Sequence, residues 1–193
     1  MINILIFFYF FLTFTLSLLL VGVLYYFDIM SVTKANEAIS AKQASHNKLT
    51  SRLGGLAAIF ALLIVIFLTA DQLILFIALS SIPVLLAGGL EDLGYSIKPV
   101  YRYIAALISG FIAIYLTGLW LDNVDFTMLT PILAVPFFAI CFTAFASAGI
   151  SNSINLIDGV NGLASGVIAL IGLALCIISF SVGEVGLGTF CII

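Results

Sequence analysis

Long apolar runs separated by short polar stretches organise this chain: Ile4–Phe27, Leu53–Ala70, Leu73–Leu90, Tyr103–Leu121, Met128–Ile150 and Leu163–Val182. Most have the ~17–25 residues that a bilayer-crossing helix requires. The runs are apolar on all sides instead of alternating, so strands of a closed barrel are excluded and helices remain the way to satisfy the backbone in lipid. The pattern predicts an all-α fold: a polytopic transmembrane helical bundle of about six spans in a single domain over residues 1–193. The closing Cys191-Ile192-Ile193 reads as the start of a further span. Pro83 and Pro136 fall inside the third and fifth runs, where each is expected to bend its helix.

Composition agrees with that solvent. Hydrophobic residues make up 64% of the chain and charged residues 8%, with a mean hydropathy of +1.34, against ~25% charged residues in a soluble domain. The lipid bilayer is therefore an expected partner, and nucleic acid is not. Basic residues set the orientation. Lys34, Lys42, Lys48 and Arg52 precede the second run, and Lys98 and Arg102 lie between the third and fourth. With alternating helices all of these share one face with Ser151–Gly162, and the positive-inside rule assigns it to the cytoplasm, leaving the amino terminus outside. The first run lacks a basic leader and has too long an aromatic core for a cleaved signal, so it reads as a retained helix. Cys141, Cys176 and Cys191 lie in apolar segments without ligand spacing and read as packing residues.

The polar stretches of the cytoplasmic face carry the chemistry. The richest reads N-S-I-N-L-I-D-G-V-N-G-L-A-S-G from Asn152 to Gly166. Asn152, Asn155, Asp158 and Asn161 recur every third residue, which places successive pairs near one face of a helical turn. The bland alternative is a connecting loop with Asx-stabilised turns. A second cluster, G-G-L-E-D, sets Glu91 beside Asp92 at the end of the third run. Adjacent helical positions point ~100° apart, so two carboxylates there can address different atoms. They also repel, which favours a metal, a shared proton or a basic partner such as Lys98 or Arg102; the alternative is an exposed acidic cap. A third cluster, S-H-N-K-L-T-S-R-L-G-G from Ser45 to Gly55, brings His46, Lys48 and Arg52 before a glycine pair that opens a helix. Arginine offers a planar fork for phosphate and lysine a point charge, though both also serve as topology signals.

Carboxylates, amides and cations on one face, with span interiors almost free of ionisable groups, describe a magnesium-assisted phosphoryl-transfer site better than a transport path.

These three segments resemble the polyprenyl-phosphate N-acetylhexosamine-1-phosphate transferases, in that family's order and across nearly the whole chain, with the Asn152–Gly166 segment the most diagnostic. Glu91 stands where the family commonly has the first Asp of a pair, Asn161 where many members have Asp, and Leu49 where a Pro is usual. The resemblance implies transfer of an N-acetylhexosamine-1-phosphate from a UDP-activated N-acetylated sugar to undecaprenyl phosphate, releasing UMP. Such a step initiates a lipid-linked glycan, whether O-antigen, capsule or another cell-wall polysaccharide. It implies a multi-pass protein of the bacterial cytoplasmic membrane that uses Mg2+, or Mn2+ in its place. By the same resemblance Glu91, Asp92 and Asp158 are catalytic candidates, Asn155 and Asp158 metal ligands, and His46, Lys48, Arg52, Arg102 and Asn161 substrate contacts. Asp92, aided by Glu91, would orient or deprotonate the lipid phosphate. Arg52 and Arg102 would neutralise phosphate charge, their division between the two substrates being open.

Members of that family continue beyond this length, so the chain is expected to be the amino-terminal part of a larger transferase domain. A truncated, inactive membrane scaffold is the alternative reading, and an unrelated transporter a third. Gly162 and Gly166 form a small-xxx-small pair that favours close helix packing, and a homodimer stays open on that basis.

Overall fold

Proline cannot donate a backbone N–H and clashes with the preceding turn, so it is tolerated where a helix starts and disruptive inside one. The chain has four prolines, and all four stand at the first or second position of a helix. The computed structural model describes residues 2–26, 59, 63, 66, 72–92, 95, 97–157 and 162–192. Among these the helices are α1 (Ile2–Tyr26), α2 (Gln72–Ser80), α3 (Ile82–Asp92), α4 (Pro99–Thr117), α5 (Thr130–Leu133), α6 (Pro136–Ile157), α7 (Leu163–Ser181) and α8 (Val185–Ile192). No strand occurs among the described residues.

Three helices are long and apolar enough to cross a membrane: α4, α6 and α7. The third apolar run is bent, α2 and α3 meeting at 44° across Ser81, the geometry of a broken span or a re-entrant loop. Its bend has a local cause. Pro83 removes one ladder hydrogen bond and crowds the carbonyl of Leu79, while the Ser80 and Ser81 hydroxyls donate to the carbonyls of Ile77 and Ala78, both at 2.7 Å. The described spans thus number three, or four with the bent pair. The first run forms the 25-residue α1, and Ile59, Leu63 and Ile66 of the second are helical.

The fifth run is displaced from the apolar pattern. Pro131 and Pro136 open α5 and α6, so the long helix starts at Pro136 instead of Met128 and runs on to Ile157, through the polar Ser151, Asn152 and Asn155. Pro136 therefore starts its helix and does not bend it, and the first amides of the polar segment are helical instead of forming a loop.

The chain divides into two compact units, Met1–Leu75 with Ile157–Ile193 and Phe76–Leu156. Within the second unit α4 is held on two sides. Toward α3, the Val84 amide donates to Ser109 Oγ at 3.3 Å. Toward α6, a Cβ on Gly110 would sit 2.7 Å from Ser147 Oγ and 3.1 Å from Ala144 Cα, so a larger residue there would force Ser147 and the α6 backbone to give way. The facing side chains are correspondingly small, with Ala139, Ala144 and Ala148 fully buried, and Tyr103 meets Phe145 edge-on at 6.3 Å. Close backbone approach through small residues is how helices gain packing where lipid removes the hydrophobic drive. Within the first unit α8 packs on α7 and touches α1, with Gly188 against the Phe180 ring. The outward faces are apolar: Phe145, Leu170 and Ile177 are all more than 60% exposed, a distribution suited to lipid and costly in water.

Candidate active site

The described part of the site is built where α3 ends and α4 begins. Glu91 and Asp92 occupy the last turn of α3. After the connection, Lys98 adopts extended backbone (φ −62°, ψ 142°), Pro99 opens α4, and Arg102 falls in its first turn. Arg102 reaches back across the junction. Its Nη1 donates to both carboxylate oxygens of Glu91, at 2.6 Å to Oε2 and 2.9 Å to Oε1, and the two side chains retain 26% and 23% of their exposure.

This placement opposes both helix dipoles. Negative charge is unfavourable at a helix C-terminus and positive charge at an N-terminus, by roughly 0.3–1 kcal/mol each at exposed sites. Glu91 lies at the former and Arg102 at the latter, so each charge disfavours its own helix, and the pair offsets what either would cost alone. Charges set against local preference while satisfied through a long-range partner mark sites selected for something besides helix stability. Arg102 Nε is buried and has no hydrogen-bond partner among the described residues. A buried guanidinium N–H without an acceptor costs free energy that an anionic oxygen would recover.

The other candidates are distributed as follows. Asn155 projects from the final turns of α6 with its carboxamide exposed, and Asn152 lies one turn earlier, half-buried. Three helical residues amount to ~300° of rotation, so the two amides share a face. Among the described residues Asn155 makes no hydrogen bond to Glu91 or Arg102. Gly162 takes the left-handed conformation (φ 79°) at the start of α7, which favours glycine there. His46, Lys48, Arg52, Asp158, Asn161 and the Asp92 side chain lie outside the described residues, and Lys98 is exposed. Among the described residues no three His, Cys, Asp or Glu side chains converge as a metal-binding group.

Sequence reasoning did not single out Ser109, whose hydroxyl satisfies one of the free N–H groups in the first turn of α3 and helps fix α3 against α4. A serine in the middle of the apolar Tyr103–Leu121 run was its signal.

Residues 73–193 match the family model described as "Glycosyl transferase family 4", well over half of the chain. The chain belongs to that family. The matched stretch includes Glu91, Asp92, Arg102, Asn155, Asp158 and Asn161, whereas His46, Lys48 and Arg52 precede it. Among curated relatives, the phospho-N-acetylmuramoyl-pentapeptide-transferase of Clostridium perfringens (strain 13 / Type A) is 31% identical over 156 residues, covering 74% of this chain and 49% of its own length. That of Staphylococcus aureus (strain bovine RF122 / ET3-1) is 44% identical over 64 residues, 32% of this chain and 20% of the relative. The chain spans about half the length of the Clostridium relative it matches. No solved structure matches it.

Proposed function

We propose that the protein transfers an N-acetylhexosamine-1-phosphate from a UDP-activated sugar to a polyprenyl phosphate, undecaprenyl phosphate in bacteria, with release of UMP. The observation that carries this reading is membership of glycosyl transferase family 4 across the segment holding Glu91, Asp92, Arg102, Asn155, Asp158 and Asn161. An oxygen of the lipid phosphate attacks the β-phosphorus of the UDP-sugar, the bond from that phosphorus to the bridging oxygen breaks, and UMP leaves with its electron pair. Asp92 orients or deprotonates the lipid phosphate, with Glu91 beside it. Arg102, with Arg52, Lys48 and His46 from the preceding polar segment, meets phosphate charge, and the buried Arg102 Nε–H, without a partner among the described residues, is a suitable donor for such an oxygen. Asn161 helps hold the uridine.

The donors available for a metal are oxygens: the exposed Asn155 carboxamide at the end of α6 and the Asp158 carboxylate that follows it in sequence. Hard oxygen donors beside substrate phosphates suit Mg2+, or Mn2+ in its place. When bound, the ion supplies charge neutralisation and Lewis acidity at the diphosphate. About six spans carry this site in a bacterial cytoplasmic membrane, with the amino terminus outside and the reacting groups on the cytoplasmic face. The similarity to phospho-N-acetylmuramoyl-pentapeptide-transferases makes a UDP-N-acetylmuramoyl-pentapeptide a donor to test, and supports a cell-wall polysaccharide, peptidoglycan included, over O-antigen or capsule.

The test follows UMP release in membranes containing the protein, with magnesium, undecaprenyl phosphate and either UDP-N-acetylmuramoyl-pentapeptide or UDP-GlcNAc. Release is expected with one donor only when the lipid phosphate is present, falling by about 100-fold or more in Asp92→Asn. Release that is indifferent to lipid phosphate, or unchanged in Asp92→Asn, would overturn the assignment.

A further inference from the structure

Glu91 and Asp92 are adjacent carboxylates at one helix end, and on sequence alone both compete for the same chemical work. The structure separates them. Both oxygens of Glu91 are engaged by a single Arg102 nitrogen at 2.6 and 2.9 Å. An oxygen already engaged by a guanidinium has fewer lone pairs free to meet a substrate or a metal than an unengaged one. The pair also joins the last turn of α3 to the first turn of α4, on either side of a connection that includes the exposed Tyr95 and Lys98. A second tie lies farther along the same two helices, from the Val84 amide to Ser109 Oγ. The α3–α4 hairpin is thus pinned twice, and the pin nearest Asp92 is ionic. Glutamate has one more methylene than aspartate with which to span the gap between helices.

We propose that Glu91 is a positioning residue: with Arg102 it forms a clamp that fixes the α3 terminus carrying Asp92 and fixes the guanidinium, and it does not itself accept the proton or bind the metal. This rests on the transferase reading above.

The test compares Glu91→Gln, Glu91→Ala, Asp92→Asn and the exchanged pair Glu91→Arg with Arg102→Glu, alone and together, in the protein in its membrane. Glutamine still offers Arg102 an acceptor oxygen. Glu91→Gln should keep kcat within about tenfold of the parent, Glu91→Ala should fall clearly below it, and Asp92→Asn should lose about 100-fold or more. The exchanged double variant is read by its thermal midpoint and not by turnover, because Arg102→Glu also removes the guanidinium proposed to meet phosphate charge. The idea is overturned if Glu91→Gln is as impaired as Asp92→Asn. A second readout is independent of turnover: thermal midpoints of the same single and double variants in detergent. Non-additive midpoints support the clamp, and additive ones overturn it. If the parent protein releases no UMP with any donor, the transferase reading fails for this chain, and the midpoints alone decide whether the clamp exists.

Discussion

At the scale of single residues, the ion pair between Glu91 and Arg102 is the best-defined feature of the site. Both side chains keep about a quarter of their exposure, so the pair lies between the surface case, worth ~0–1 kcal/mol, and the buried case, where removing one partner costs ~3–5 kcal/mol. Arg102→Gln is therefore expected to lower stability by about 1 kcal/mol in a detergent melt, and by less in high salt, where the exposed part of the attraction is screened. An unchanged midpoint would mean that solvent already competes the pair away. In the sequence, two adjacent carboxylates favoured a metal, a shared proton or a basic partner, with Lys98 and Arg102 both available as that partner. The sequence could not choose between them, since the choice depends on where α4 starts. Pro99 opens that helix and puts Arg102 in its first turn, leaving Lys98 as the exposed residue before it.

At the scale of elements, the membrane-like packing rests on a few small residues of α4. Gly110→Ala places a Cβ 2.7 Å from Ser147 Oγ and 3.1 Å from a backbone carbon, so it should destabilise by about 1–3 kcal/mol. Adding Ser147→Ala should recover part of that loss and not all, because the Ala144 backbone stays where it is. Ser109→Ala leaves the Val84 amide without its acceptor and should cost about 0.5–1.5 kcal/mol, with a larger relative effect on turnover if the α3–α4 hairpin positions Asp92. Melting midpoints of the purified variants check both. Helix identity was legible from apolar run length because lipid leaves helices few competitors. Helix boundaries were not, and proline was the reason: Pro136 starts α6 and shifts the whole helix toward the amide-rich segment, while Pro83 breaks its run in two. Hydropathy averages over such residues, whereas their missing N–H and fixed φ act at one position. The three-residue spacing of Asn152 and Asn155 was a better guide there than hydropathy, since both are helical.

At the scale of the whole molecule, apolar helices with lipid-suited faces carry polar groups at the ends of α3 and α6, and the chain belongs to glycosyl transferase family 4. The motifs made that family legible because the G-G-L-E-D and Asn152–Gly166 segments both lie within the stretch that matches it. The choice of donor was not legible, since none of the three polar segments carries a pattern specific to one sugar. The central claim is that phosphorus moves with the sugar, and one measurement addresses it directly. A UDP-N-acetylated sugar labelled with 32P at the β-phosphate is incubated with magnesium, undecaprenyl phosphate and membranes containing the protein, and the label is followed between lipid and aqueous phases. Sugar-phosphate transfer predicts label in the lipid phase together with unlabelled UMP, and neither in Asp92→Asn. Label leaving as UDP while sugar alone enters the lipid would contradict the account.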